Sequence, residues 1–297
     1  MLKRLVLVTA ALCGSQAFAD PKFEYGKADE VAKVKGTEWT ASAEGGVVFT
    51  TGNSETTTGT AGFKATRKKA KNKLALEGSL TYARAGVRVL SDHNGNGLID
   101  DQSEIVAEKQ VTAETLAAKL RYDRFLTDFN SLFVAGLISR DVPAGKQRVI
   151  GAQVGYSRRI HKSATSEAVA EVGVDYDNED LTVGDALSFV SARAFVGFKS
   201  ELSPGVSFET SGELLTNLSK ETLATGADGG IGQDTRFNFK ASVSSKIGKS
   251  LSFQSSIEAK YDRRPAPLAL KNLAMGFVPE ASSLDTIMKA SLIYTFF

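Results

Sequence analysis

The sequence predicts an all-β protein: a transmembrane antiparallel β-barrel of about twelve strands, preceded by a cleaved signal peptide. Three observations predict it. Apolar and polar residues alternate with period two along most of the chain. Short and long connections alternate between the alternating segments. Tyrosines fall at segment ends on the apolar face.

The alternation is clearest over 73–82, where Leu74, Leu76, Gly78, Leu80 and Tyr82 share one face and Lys73, Glu77, Ser79 and Thr81 the other. It recurs over 168–176, with Ala168, Ala170, Val172, Val174 and Tyr176 opposed to Val169, Glu171, Gly173 and Asp175. It recurs again over 251–261, with Leu251, Phe253, Ile257, Ala259 and Tyr261 opposed to Gln254, Ser256, Glu258 and Lys260. Successive strand side chains point to opposite faces, so each segment reads as a strand with one apolar and one polar face. Taken in order, twelve such strands begin near Trp39, Thr56, Lys73, Val111, Asn130, Gln147, Ser166, Ala186, Gly205, Thr235, Ser250 and Asp285.

Connections after even-numbered strands are tight: the basic RKKAKNK turn, then Leu126 to Asn130, Ile160 to Thr165, Leu202 to Gly205 and Ile247 to Ser250. After odd-numbered strands they are mostly longer: roughly 84–110, 141–147, 177–185, 217–233 and 262–284, with TTGNSE the short exception. That asymmetry describes an outer-membrane barrel with its tight turns in the periplasm. A soluble β-sandwich also alternates, but nothing in one requires tyrosines to mark strand ends. Tyr82, Tyr176 and Tyr261 close odd strands and Tyr122, Tyr156 and Tyr294 close even ones. This is the spacing expected of two membrane-interface belts, each ring in lipid and each hydroxyl among headgroups.

The amino terminus fits the same compartment. Lys3 and Arg4, an apolar run from Leu5 to Leu12 and the A-x-A step Ala17-Phe18-Ala19 read as a signal peptide over 1–19. Its removal takes two of the two net positive charges and the single cysteine, Cys13, leaving a neutral chain without disulfides. A neutral balance argues against a nucleic-acid partner. Residues 20–36 form a polar periplasmic lead and 37–297 the barrel. At the other end Met288, Ala290, Leu292, Tyr294 and Phe296 make the apolar face of a last strand. Its aromatic ending is the signal by which the outer-membrane barrel assembly machinery is expected to take up the chain.

FTTGNSETTTGTAGFKATRKKAKNKLALEGSL (49–80), with FLTDFNSLFVAGLISRD (125–141) and GAQVGYSRRI (151–160), resembles the family known as domain of unknown function 481. Its members are often labelled salt-induced outer membrane proteins. The resemblance implies a barrel in the outer membrane and brings no assigned activity and no catalytic residues.

Residues 92–104, DHNGNGLIDDQSE, read as a calcium loop. Asp92, Asn94, Asn96 and Asp100 stand at positions 1, 3, 5 and 9, and Glu104 falls one residue past the usual bidentate acid. Oxygen ligands at alternate positions wrap a hard cation, so calcium is the one cofactor expected; the bland reading is an Asn-Gly-rich surface turn. Enzymatic chemistry is not expected, because the chain has two histidines. His93 is a non-ligand position of that loop, and His161 lies in a tight turn with no serine on a neighbouring strand face.

Inward positions carry both signs, among them Arg121, Arg193, Lys240, Glu171 and Glu213. Two readings follow. Basic residues facing acids across a water-filled lumen would make a narrow pore for small solutes or ions; neighbouring ions that pair would pack the interior shut. The alternative function is a non-conducting structural or surface-binding barrel displaying a calcium-organised outer loop.

Overall fold

The structure is a computed structural model that describes residues 36–50, 56–90, 105–142, 145–182, 184–222, 228–265 and 283–296. The signal peptide, most of the polar lead, residues 92–104 and Phe297 lie outside the described residues.

Twelve strands close into one antiparallel barrel. They are β1 (Thr37–Thr50), β2 (Thr56–Lys69), β3 (Asn72–Leu90), β4 (Ile105–Phe125), β5 (Asn130–Asp141), β6 (Lys146–Lys162), β7 (Ser166–Leu181), β8 (Leu187–Ser203), β9 (Val206–Asn217), β12 (Thr235–Lys246), β13 (Leu251–Asp262) and β14 (Leu284–Thr295). A two-stranded hairpin, β10 (Glu221–Thr222) with β11 (Asp228–Gly229), decorates the connection between β9 and β12. Each barrel strand pairs with its sequence neighbour, and β14 returns to β1. That closing seam runs over the four pairs from Ser42↔Thr295 to Gly45↔Leu292 and is extended by the Phe296 amide, which donates to the Ala41 carbonyl at 2.9 Å. Closure matters because an open edge in hydrocarbon would leave unpaired backbone groups, each a penalty of several kcal/mol.

The alternation predicts the faces. Leu76, Leu80, Val172, Val174, Phe253 and Ile257 are exposed on the outer wall, whereas Lys73, Glu77, Glu171, Asp175 and Glu258 are buried inside. An apolar outside around a charged inside is the inverse of a soluble domain and defines a transmembrane barrel. One glycine of the outer wall is covered: a Cβ on Gly78 would lie 2.2 Å from the Phe63 ring of the paired strand.

Three strands differ from expectation. β3 continues to Leu90 and β4 starts at Ile105, so much of the segment read as a loop over 84–110 is a hairpin, and β7 runs on to Leu181. Tyr82 and Tyr176 therefore do not end their strands. The outer face loses its apolar character past these tyrosines while the backbone ladder continues, so polarity marks the edge of the apolar band rather than the end of the strand. The tyrosines still share one level: Tyr82, Tyr176 and Tyr261 each stand ten residues past the first residues of their strands, Asn72, Ser166 and Leu251. Ten residues of strand tilted by roughly 45° rise about 24 Å, the height of a membrane-spanning apolar band. Tyr122, Tyr156 and Tyr294 sit near the tight-turn end, where the Tyr156 hydroxyl donates to Asn130 Oδ1 at 2.5 Å.

Candidate functional site: the barrel interior

The interior divides into two unlike halves. Strands β4 to β9 supply a packed half. Arg121 donates to both Glu171 oxygens, at 2.6 and 3.1 Å, and to Asp123 Oδ1 at 2.8 Å. Arg193 donates to the same Glu171 at 3.0 Å and to Glu213 at 2.5 Å, and Asn238 holds the other Glu213 oxygen at 3.2 Å. The guanidinium edges are thus spent on carboxylates. Their faces are spent on aromatic rings: Arg121 lies 4.1 Å over Phe133, and Arg193 lies 5.5 Å from Phe133 and 5.3 Å from Phe195. Planar delocalised cations suit this double use, edge to carboxylate and face to ring, better than an ammonium would. Next to them Lys119 donates to Gln153 at 2.8 Å.

Small residues admit this packing. A Cβ on Gly155 would fall 2.7 Å from the Phe133 ring and 2.5 Å from the Val172 carbonyl, and one on Gly151 would fall 2.4 Å from Asp177 Oδ1. Towards the long-loop end the same side carries a second charge cluster. Arg236 reaches Glu179 at 3.1 Å, Asp177 at 3.6 Å and Asp234 at 3.7 Å, with its guanidinium 4.4 Å over Phe189, and Lys146 pairs with Glu179 at 2.9 Å. In the connection just before β12, burial pushes the Asp234 carboxyl above its usual range against the pull of Arg236.

The other half is open. A cavity of about 320 Å³ is lined by the inner faces of β1, β2 and β3 and of β12, β13 and β14. Its charged wall consists of Lys240 and Lys289, which share Glu258 at 2.7 and 3.5 Å, and of Lys64 with Glu77 at 3.4 Å. Serine, threonine and glutamine side chains fill the spaces between, including Ser42, Thr60, Thr81, Gln254 and Ser256. At the tight-turn end lies a cavity of about 540 Å³, and the two share Lys199, Ser207 and Ser244 as walls. Beside that junction Glu209 stands opposite Lys199 in the β8–β9 register. Among the described residues neither Lys199 nor Glu209 makes an ion pair within 4 Å. They are charges left facing the space.

Of the inward charges singled out from sequence, Arg121, Arg193, Glu171 and Glu213 come together in one contact network. Lys240, on the next strand, turns instead to Glu258 in the open half. Sequence reasoning missed the inward phenylalanines. Phe133 shares a face with Ser131 and Ala135 but is flanked by Leu132 and Val134. With both faces of β5 apolar, alternation there carries no sign; only the register against Asp123 on β4 and Gly155 on β6 reveals it. His161 also differs from expectation: its Nε2 lies 3.1 Å from Ser166 Oγ. That hydroxyl is 2.7 Å from Ser163 Oγ, which accepts the Ser166 amide at 2.9 Å, so the contact belongs to a solvent-exposed turn network. Among the described residues no group of three or more histidine, cysteine, aspartate or glutamate side chains is placed to hold a metal; the calcium-loop residues Asp92, Asn94, Asn96, Asp100 and Glu104 fall outside them.

Residues 43–296 match the family described as "protein of unknown function, DUF481". The chain belongs to that family. No curated protein sequence is significantly similar to this DUF481 chain. Among solved structures it is similar to the translocator domain of the autotransporter NalP from Neisseria meningitidis, at 12% identity over 91% of this chain and 92% of that one, with a TM-score of 0.42. It is also similar to the NanC porin, at 9% identity over 86% and 97% with a TM-score of 0.41. A third is the outer membrane protein OmpT of Vibrio cholerae, at 7% identity over 88% and 99% with a TM-score of 0.38.

Proposed function

We propose that this DUF481 protein is an outer-membrane barrel of a Gram-negative cell that lets small hydrophilic solutes or ions pass along one side of its interior. The observation that carries the reading is the division of the lumen. One half is filled by Arg121, Arg193, Glu171, Glu213, Phe133 and Phe195, the other holds a polar cavity, and a second cavity below the packed half, at the tight-turn end of β6 to β9, shares Lys199, Ser207 and Ser244 with it. A space of about 320 Å³ is at the lower end of small-ligand sites, so the passage suits small solutes rather than oligomers. Paired lysines and glutamates along its wall favour neither ion sign strongly. In this reading the tight turns face the periplasm, lipid surrounds the outer wall and the aromatic final strand presents the chain to the barrel assembly machinery.

Single-channel recording of the purified protein in planar bilayers, at two salt concentrations with and without calcium, tests the proposal. Discrete steps that scale with salt are expected. A folded barrel that stays silent would overturn the pore and favour the non-conducting alternative, whose functional part is the loop sequence over 92–104. Removing 91–104 between β3 and β4 would then abolish calcium binding, and it should leave a pore's steps intact.

A further inference from the structure

The outer wall is asymmetric in charge at the tight-turn end. On β2, its following turn, β4 and β6 stand Arg67, Lys69, Lys71, Arg124 and Arg158, all directed outward or into the turn. The equivalent outward strand positions on β7 to β14 are Ala168, Ser200, Leu202, Phe208, Ser245, Phe253, Leu292 and Tyr294, none of them charged, and the tight turns there add Lys249 and, at the end of β6, Lys162. Lysines that merely reach for water at a membrane edge would be spread around the barrel. These are gathered on one sector.

The sector is also built rather than merely decorated. Asn72 anchors it: its Nδ2 donates to the Lys69 carbonyl at 3.2 Å, tying down the turn in which Ala70 adopts a left-handed φ of 49°. Its Oδ1 accepts both the Tyr122 hydroxyl at 2.7 Å and Arg124 Nη1 at 2.8 Å. One guanidinium is thereby held in place with its remaining N–H groups still available. One strand pair away Arg67 lies 5.8 Å over the Trp39 ring, and Trp39 and Tyr122 are both exposed on the outer wall. Cations oriented by interfacial aromatics, at the depth where headgroups begin, match the phosphate of a lipid.

We infer that the β1–β6 sector at the tight-turn end is a binding site for an anionic phospholipid headgroup, held by Arg67, Arg124 and the turn lysines Lys69 and Lys71. The charge complementarity points to phosphatidylglycerol-type lipid of the phospholipid leaflet. The site is independent of whether the lumen conducts, because every residue in it faces outward.

The protein carries its own probe, since Trp39 is its single tryptophan. The protein is purified from membranes and reconstituted in phosphatidylcholine vesicles containing brominated phosphatidylglycerol, and separately brominated phosphatidylcholine at the same fraction. Quenching of Trp39 by each gives the relative affinity of the site. One surface cation contributes roughly a fivefold preference for anionic lipid, so a several-fold preference is expected in the wild type, weakening as salt rises. The double variant R67Q/R124Q is expected to lower the ratio several-fold, Lys69 and Lys71 keeping the remainder, and K249Q, in the turn between β12 and β13, to leave it unchanged. Because each ratio compares two lipids on one protein, loss of the Arg67 contact to the ring does not distort it. Equal quenching by the two lipids in the wild type, or an unchanged preference in the double variant, would overturn the site.

Discussion

Replacing Glu171 by alanine is the sharpest test of the packed half. Its carboxylate is 2% exposed and accepts three bonds, two from Arg121 at 2.6 and 3.1 Å and one from Arg193 at 3.0 Å. Removing one partner of a buried ion pair typically destabilises by about 3–5 kcal/mol, because the other charge stays buried without it. Here Arg121 keeps Asp123 and Arg193 keeps Glu213, which places the expected loss near the lower end, about 3 kcal/mol. Urea unfolding of the purified protein in lipid vesicles, followed by Trp39 emission, measures it. Glu171→Gln keeps the shape and one acceptor and should fall between wild type and alanine. Lys240→Met is the comparison on the open side: Lys240 reaches the cavity and the buried Glu258 keeps Lys289 at 3.5 Å, so a smaller loss of about 1–2 kcal/mol is expected. A Glu171→Ala loss as small as that of Lys240→Met would mean that water screens both sites alike, and the division of the lumen would fail.

The remaining predictions test space and charge. Phe133→Ala removes the ring beneath both guanidiniums and should destabilise by about 3–5 kcal/mol in the same unfolding assay, while larger current steps report the space opened. Gly155→Ala drives a Cβ to 2.5 Å from the Val172 carbonyl, which is backbone and cannot step aside, so a loss above about 2 kcal/mol is expected. Gly78→Ala meets only the Phe63 ring, which is about half exposed and free to swing outward, so its loss should stay below about 1 kcal/mol; similar losses for both glycines would refute the distinction. Lys199→Gln at the junction of the cavities should shift the reversal potential toward cations and leave stability within about 0.5 kcal/mol.

The sequence by itself determined the barrel, its twelve strands and the side on which the charged residues of its alternating segments lie. Period two is a local property of a strand: once Leu74, Leu76 and Tyr82 face lipid, Lys73, Glu77 and Thr81 have nowhere to go but inward. Turn chemistry and connection length then set the antiparallel order. Where polarity and backbone part company the reading stopped short, as at Tyr82, beyond which β3 continues to Leu90 with Arg84, Gly86 and Arg88 in the places that Leu80 and Tyr82 held. What only the tertiary structure decided is which inward residues meet. Arg121 and Glu171 are fifty residues apart, on β4 and β7, and their contact depends on strand register and tilt across two intervening strands. The same geometry turns Phe133 inward from a strand that is apolar on both faces, and it separates Lys240 from the Arg121–Arg193 network by sending it to Glu258. Alternation gives a side chain its face; only barrel closure gives it its neighbours, and those neighbours decide whether a lumen charge is locked in a pair or left to meet a solute.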